Sequence, residues 1–193
     1  MNIVITGHTR GLGKYLFDYF SKLGNTVTGL SRSNGFDINV DQEKILDIVT
    51  KHDLFINCAC SKDSQRTLTL GAVNKVDNLI VIGTAMQKFK EFNSFNYIEE
   101  KKKLADTCDR LSINPNVKTN MLHLNISFLI KDKDSFLQTD NYIEYNEITN
   151  AIEYWLENKN ITEMTFNWKI TKLVENEFKK IIPDLDVNKL LKV

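Results

Sequence analysis

The sequence has 193 residues, a length that suits one domain with a substantial buried core. Its 25 basic and 25 acidic side chains give a formal net charge of zero, which argues against nucleic acid or another general polyanion as a partner. No apolar run reaches the length of a membrane span, and the N-terminus leads directly into a predicted strand without a signal-peptide pattern. We therefore expect a cytoplasmic protein without a membrane partner, and the sequence leaves open whether it is a monomer or a homo-oligomer.

The cysteines support the same compartment. Cys58, Cys60 and Cys108 are odd in number and form no disulfide framework, as is usual in a reducing cytoplasm. The pair Cys58-x-Cys60 has no second pair of ligands nearby, so we expect no metal site.

The chain begins with a glycine-rich turn between a predicted strand and a predicted helix. Residues 2–5 are apolar and β-branched, residues 6–13 read Thr-Gly-His-Thr-Arg-Gly-Leu-Gly, and residues 14–20 have helical spacing. This order is typical of a dinucleotide-binding βαβ unit, in which glycines permit a tight turn and a close approach to a pyrophosphate. The helix N-terminus offers N–H groups to the phosphates. The predicted contact residues are Gly7, Thr9, Arg10, Gly11, Leu12 and Gly13.

The spacing of this turn carries a family resemblance. Gly-x3-Gly-x-Gly after Thr6 resembles the opening motif of the short-chain dehydrogenase/reductase family, and the alternative is an ordinary glycine-rich turn. The resemblance implies an α/β Rossmann-like fold, a doubly wound parallel sheet with helices on both faces. It implies an NAD(P)-binding domain over residues 1–167 that carries the active site, and we expect residues 168–193 to form a helical tail packed on that domain.

The end of the second predicted strand, residues 26–30, indicates the cofactor. An acidic residue at this position binds the ribose 2′-hydroxyl of NAD, whereas a basic residue accommodates the 2′-phosphate of NADP. Here Ser31 and Arg32 follow the strand, and Arg10 adds a second basic residue. We therefore predict NADP(H). Asp37 and Ile38 resemble the family's Asp-apolar pair near the adenine, although a plain turn residue is the alternative for the aspartate.

The next predicted strand, residues 53–60, ends in a partial match to a second motif. The family has Asn-Asn-Ala-Gly along the cofactor, and here only Asn57 and Ala59 match. Residues 61–78 leave room for one short helix, around 64–74, where the family spends about twice as many residues. No asparagine stands where the family's catalytic-site asparagine is expected, so none is carried over.

A hydroxyl residue, a tyrosine and a lysine follow at the spacing that the family uses. The unbroken apolar run 79–84 predicts a parallel strand that brings Thr84 to the carboxyl end of the sheet. Thirteen residues later Tyr97 opens a predicted helix, and Lys101 lies on the same helix face. The alternative is a charged surface helix with an incidental tyrosine. The resemblance implies that Tyr97 is the general acid/base, that Lys101 lowers its pKa and binds the nicotinamide ribose, and that Thr84 orients the substrate carbonyl.

The remaining segments depart further from the family. The predicted strand 118–126 is followed by Ser127-Phe128 where Pro-Gly is usual, and the substrate-covering segment 131–145 is brief. A helix over 147–156 and a strand over 160–166 complete the domain. The implied function is NADP(H)-dependent interconversion of a small-molecule carbonyl and its alcohol by hydride transfer. The departures favour a regulatory module that binds NADP(H) without turnover as the alternative, and a purely structural interaction protein is a third hypothesis.

Overall fold

The computed structural model describes residues 1–88, 96–127 and 143–166. Strands and helices alternate along these residues, with short 3₁₀ turns at Arg32–Asn34 and Ala85–Lys88. The elements are β1 (Asn2–Thr6), α1 (Gly11–Lys22), β2 (Thr26–Leu30), α2 (Gln42–Val49), β3 (Leu54–Asn57), α3 (Ser64–Ala72), β4 (Asn78–Thr84), α4 (Asn96–Ser112), β5 (Asn120–Ile126), α5 (Tyr145–Glu157) and β6 (Glu163–Phe166).

The described strands form one sheet in the order β2-β1-β3-β4-β5-β6, and every neighbouring pair is parallel. The chain first steps from β1 to β2 on one side and then returns to β3 on the other side of β1. The strand order therefore reverses between β1 and β3, and open α/β sheets bind ligands in the crevice at such a point. The predicted doubly wound parallel sheet is confirmed.

The hydrophobic core lies in two layers, one on each face of the sheet, because successive strand residues point to opposite sides. Helices α1 and α5 cover one face, and α2, α3 and α4 cover the other. The first layer includes Ile3, Ile5, Leu16, Phe20, Ile152 and Trp155. The second includes Val4, Ile45, Phe55, Leu68, Val81 and Leu104. All seven residues of β4 are buried, which the unbroken apolar run requires of a central strand.

Three predicted strands, β3, β5 and β6, are shorter than expected, and β6 begins only at Glu163. Side-chain hydrogen bonds explain the first two. β3 ends at Asn57 because the Thr6 hydroxyl takes the backbone N–H groups of Cys58 and Ala59 at 3.1 and 3.2 Å. β5 begins only at Asn120 because the hydroxyl of Thr119 accepts from one loop N–H and donates to a loop carbonyl, both at 2.8 Å. The tail 168–193 and most of the segment 131–145 lie outside the described residues, so the proposed domain boundary stays a prediction. No described helix is both long and apolar enough to cross a membrane.

Candidate active site

The turn after β1 is shaped by two glycines in contact. Gly7 has a φ of +77°, which favours glycine, and its N–H donates to the carbonyl of Leu30 at 2.8 Å. A β-carbon at Gly13 would lie 2.3 Å from the carbonyl oxygen of Gly7. Only glycine at position 13 lets α1 begin this close to the turn. The N-terminus of α1 therefore lies beside the carboxyl end of β1, where N–H groups of its first turn can bind an anion.

Thr6 joins the two strands that border the crevice. Its side chain is fully buried, accepts the N–H groups of Cys58 and Ala59, and donates to the Oδ1 of Asn57 at 3.2 Å. The threonine before the glycine turn thus holds the ends of β1 and β3 together under the crevice.

A cleft of about 600 Å³ lies at this switch point. Its size is typical of a small-molecule or cofactor site. Ten of the predicted cofactor residues line it: Gly7, Thr9, Arg10, Leu12, Gly13, Ser31, Arg32, Asp37, Ile38 and Ala59. Seven residues that were not predicted to contact the cofactor also line it: Leu30, Ser33, Phe36, Asn39, Cys58, Cys60 and Ser61. Each lies within a few positions of a predicted contact residue, so nearness to a motif in the sequence is the signal that could have indicated them.

Two arginines line the cleft. They are Arg10 and Arg32, and Ser31 caps the short 3₁₀ turn that begins at Arg32. Asp37 also lines it, but its Oδ1 is engaged by the backbone and side-chain N–H groups of Asn39 at 2.9 and 2.8 Å. These hydrogen bonds, with a smaller contribution from Arg32, lower the pKa of Asp37. Asp37 is therefore a turn residue that also borders the cleft.

The structure does not bring every predicted cofactor residue to the wall of this cleft. Asn57 is fully buried, and its Nδ2 donates to the carbonyl of Gln65 and the hydroxyl of Thr69 at 2.9 and 3.0 Å. Asn57 thus lies beneath the cleft, where it joins β3 to α3. Gly11 is the first residue of α1, next to the lining residues Arg10 and Leu12, and its φ of +56° is again one that favours glycine.

Thr84, Tyr97 and Lys101 come together at the carboxyl edge of β4. The Thr84 side chain is buried at the end of the strand, and its hydroxyl is near enough to the phenol of Tyr97, at the start of α4, to lower the pKa of that phenol. The ammonium of Lys101, one helical turn later, lies 5.6 Å from the centre of the Tyr97 ring. Cys60, which lines the cleft, also influences the pKa of this phenol, whereas Thr84, Tyr97 and Lys101 are not among the residues that line the cleft.

The phenol of Tyr97 is strongly protonated. Although the residue as a whole is 47% exposed, burial around its hydroxyl raises the pKa to about 12. Cys60 raises the pKa further, and the nearby Thr84 hydroxyl lowers it in part. The expectation that Lys101 lowers the pKa of Tyr97 is not met, because burial dominates the shift and Lys101 is not among its causes. Tyr97 carries its proton at neutral pH and can donate it.

Lys101 is buried among polar groups. It is only 3% exposed, and its Nζ donates to the Oε1 of Gln65 and to the carbonyl of Ile82, both at 2.7 Å. Burial lowers the pKa of its ammonium, and the neighbouring thiols of Cys60 and Cys58 act in the opposite direction. One N–H of the ammonium is left for a further acceptor. Sequence reasoning missed Gln65, because only the fold places α3 against α4.

The thiols near the site are neutral. Burial raises the pKa of Cys58 to about 11 and that of Cys108 to about 12. The three cysteines are free in the structure. Within residues 1–88, 96–127 and 143–166, no three His, Cys, Asp or Glu side chains group as metal ligands.

Many solved structures share this fold. The UDP-N-acetylglucosamine 4-epimerase from Bacillus cereus matches with a TM-score of 0.69 at 14% identity, over 96% of this chain and 86% of that one. The bulky-bulky ketone specific alcohol dehydrogenase from Comamonas testosteroni also has a TM-score of 0.69, at 12% identity over 96% and 94% of the two chains. A short-chain dehydrogenase from Sphingobium yanoikuyae in complex with NADPH gives 0.67 at 11% identity, over 96% of both. No protein-family model and no curated protein matches the sequence. The chain has the fold of the short-chain dehydrogenases, and sequence identities this low support no assignment beyond the fold.

Proposed function

We propose that this protein is an NADP(H)-dependent oxidoreductase that interconverts a carbonyl and an alcohol by hydride transfer, with Tyr97 as the general acid/base. The observation that carries this proposal is the convergence of the Thr84 hydroxyl, the Tyr97 phenol and the buried ammonium of Lys101 at the carboxyl edge of β4, in a fold with a glycine-lined cleft at its switch point. A proton donor next to a dinucleotide-sized cleft is what carbonyl reduction needs. Similar structures that include NADPH-bound and NADH-bound dehydrogenases support a nicotinamide dinucleotide as cofactor.

The residues of the cleft fit such a dinucleotide. The close contact of Gly7 and Gly13 brings the N-terminus of α1 to the cleft, where its first N–H groups would face a pyrophosphate. Arg10 and Arg32 offer two cations for a 2′-phosphate, and the carboxylate of Asp37 is already held by its own turn. A bound nicotinamide dinucleotide would supply the hydride, and the chain supplies the proton and the orientation.

The roles of the three edge residues follow from their environment. Tyr97, with a pKa near 12, holds a proton at neutral pH and donates it to the oxygen of a substrate carbonyl. The Thr84 hydroxyl lies near the phenol and would donate to the same oxygen as negative charge develops there. Lys101 places a positive charge under the ring of Tyr97 and keeps one N–H for a sugar hydroxyl.

One observation favours the second candidate, a regulatory module that binds NADP(H) without turnover. Lys101 is nearly inaccessible, and two of its donors are already used within the protein. Binding and turnover separate the candidates: calorimetry with NADPH tests the cleft, and NADPH consumption with a panel of aldehydes and ketones tests the chemistry. Tight NADPH binding with no carbonyl reduced would favour the module.

We propose a cytoplasmic location. Cys58, Cys60 and Cys108 are free, and burial raises the pKa of all three thiols, which is compatible with a reducing environment.

A further inference from the structure

We propose that Gln65 is the positioning residue of Lys101, holding its ammonium under the ring of Tyr97 and tying it to the glycine turn. This inference rests on the proposed function, because it gives α3 a defined part in the same site. No catalytic or cofactor-binding residue was expected in α3.

The contact between the two residues is direct and buried. Gln65 is 2% exposed in the first turn of α3, and its Oε1 accepts a hydrogen bond from the Nζ of Lys101 at 2.7 Å. A hydrogen bond to a charged donor in a site shielded from water is stronger than a surface one. Without this acceptor, the ammonium would keep only one of its two hydrogen-bond acceptors, the carbonyl of Ile82.

The amide of Gln65 is itself fixed at both ends. Its Nε2 donates to the carbonyls of Asn57 and Ile82 at 2.8 and 2.9 Å, so the Oε1 is turned toward Lys101. Its backbone carbonyl accepts in return from the Nδ2 of Asn57 at 2.9 Å and from the hydroxyl of Thr69. Every one of these contacts is buried. The orientation of the amide is thus determined by the ends of β3 and β4 rather than by Lys101 alone.

The same contacts lead to the cofactor cleft. Asn57 accepts a hydrogen bond from Thr6, and Thr6 holds the N–H groups of Cys58 and Ala59, both of which line the cleft. A continuous set of hydrogen bonds therefore runs from the cleft through Asn57 and Gln65 to Lys101. The long side chain of Lys101 would otherwise have several rotamers available, and this network selects one of them.

The titration of Lys101 itself reports on its contact with Gln65. The ammonium of Lys101 has several titratable neighbours. They come from three elements: Tyr97, Glu100 and Cys108 of α4, Cys58 and Cys60 after β3, and His123 of β5. Burial lowers the pKa of Lys101. Removing the Gln65 acceptor leaves the charge with less compensation and should lower this pKa further, whereas a carboxylate in its place should raise it.

Nuclear magnetic resonance tests this in the protein without cofactor. The ¹³Cε signal of Lys101, assigned by its loss in Lys101→Met, is titrated in the wild type and in Gln65→Met, which is similar in length and has no amide. Ser64→Ala is the matched control, because Ser64 is buried in the same helix, next to Gln65, but donates its hydrogen bond to Asn39, outside this network. We expect the Lys101 midpoint to move to lower pH in Gln65→Met, to higher pH in Gln65→Glu, and to stay unchanged in Ser64→Ala.

Kinetics give the second readout. With NADPH and a reducible carbonyl, Gln65→Met should lower kcat about tenfold to a hundredfold, as expected of a displaced catalytic group, and should also raise the KM for NADPH, because Lys101 keeps one N–H for a sugar hydroxyl. An unmoved Lys101 midpoint in Gln65→Met, or an equal shift in Ser64→Ala, overturns the proposal. If Gln65→Met does not fold, the direction of the Gln65→Glu shift decides. If the wild type reduces no carbonyl, the proposed function fails, and the titrations still decide the role of Gln65.

Discussion

Gly13 lies against the carbonyl oxygen of Gly7 so closely that a β-carbon at residue 13 would stand 2.3 Å from it. Because the obstructing atom is backbone, Gly13→Ala must displace either the turn or α1. We expect a loss of about 1–3 kcal/mol in the free energy of unfolding and at least tenfold weaker NADPH binding. Thermal denaturation and calorimetry measure the two effects.

Gly11 provides the comparison for this prediction. A β-carbon there meets nothing within 4 Å, so Gly11→Ala bears only the strain of its φ of +56°. That strain costs about 1 kcal/mol. A Gly13→Ala variant as stable as wild type would show that the close contact does not shape the turn.

Arg32→Ala tests the cofactor preference. We expect NADPH to bind the wild type at least tenfold more tightly than NADH, because a charge-assisted hydrogen bond from arginine to phosphate contributes about 1.5–3 kcal/mol. The variant should lose most of that preference with little change in NADH affinity. Arg110→Ala is the control, since Arg110 pairs with Asp106 on the exposed side of α4. Equal affinities of the wild type for both cofactors, at one salt concentration, would refute the assignment.

How much of this site the sequence predicts depends on how far apart in the sequence the contacting residues lie. The glycine turn and the buried strand that ends at Thr84 are local patterns, and both lie where they were expected. Asn57 was expected beside the cofactor, but its side chain lies under the cleft because its partners come from β1 and α3. Gln65 carried no local signal at all. Its contact with Lys101 spans 36 residues, and only the packing of α3 against α4 creates it.

The raised pKa of Tyr97 predicts an asymmetric pH dependence. The acid form serves carbonyl reduction, and it is lost only as the pH rises through the folded-state pKa of about 12. Reduction should therefore vary by less than about twofold between roughly pH 6 and pH 9, whereas alcohol oxidation, which needs the base form, should rise with pH. The tyrosinate absorbance of wild type minus Tyr97→Phe measures the titration directly. A reduction rate that falls steeply near neutral pH would argue against Tyr97 as the acid.

Two substitutions of Thr84 distinguish the role of its hydroxyl from that of its methyl group. Thr84→Ser keeps the hydroxyl near the phenol of Tyr97 and should change kcat by less than about threefold. Thr84→Val keeps the shape and removes the donor, so kcat should fall about a hundredfold, as on losing an oxyanion donor. Thermal denaturation of both variants shows that each is folded. Equal rates for Thr84→Val and wild type would remove Thr84 from the mechanism.

Tyr97→Phe tests the central claim most directly. The substitution removes one hydroxyl and leaves the ring beside Lys101 in place. We expect NADPH affinity to change by less than about threefold, because the phenol faces the carbonyl site and Tyr97 does not line the cleft. Turnover with a carbonyl substrate that the wild type reduces should fall by about 10²–10⁴, the usual contribution of a positioned general acid. Turnover that survives in Tyr97→Phe at the wild-type rate would contradict the account.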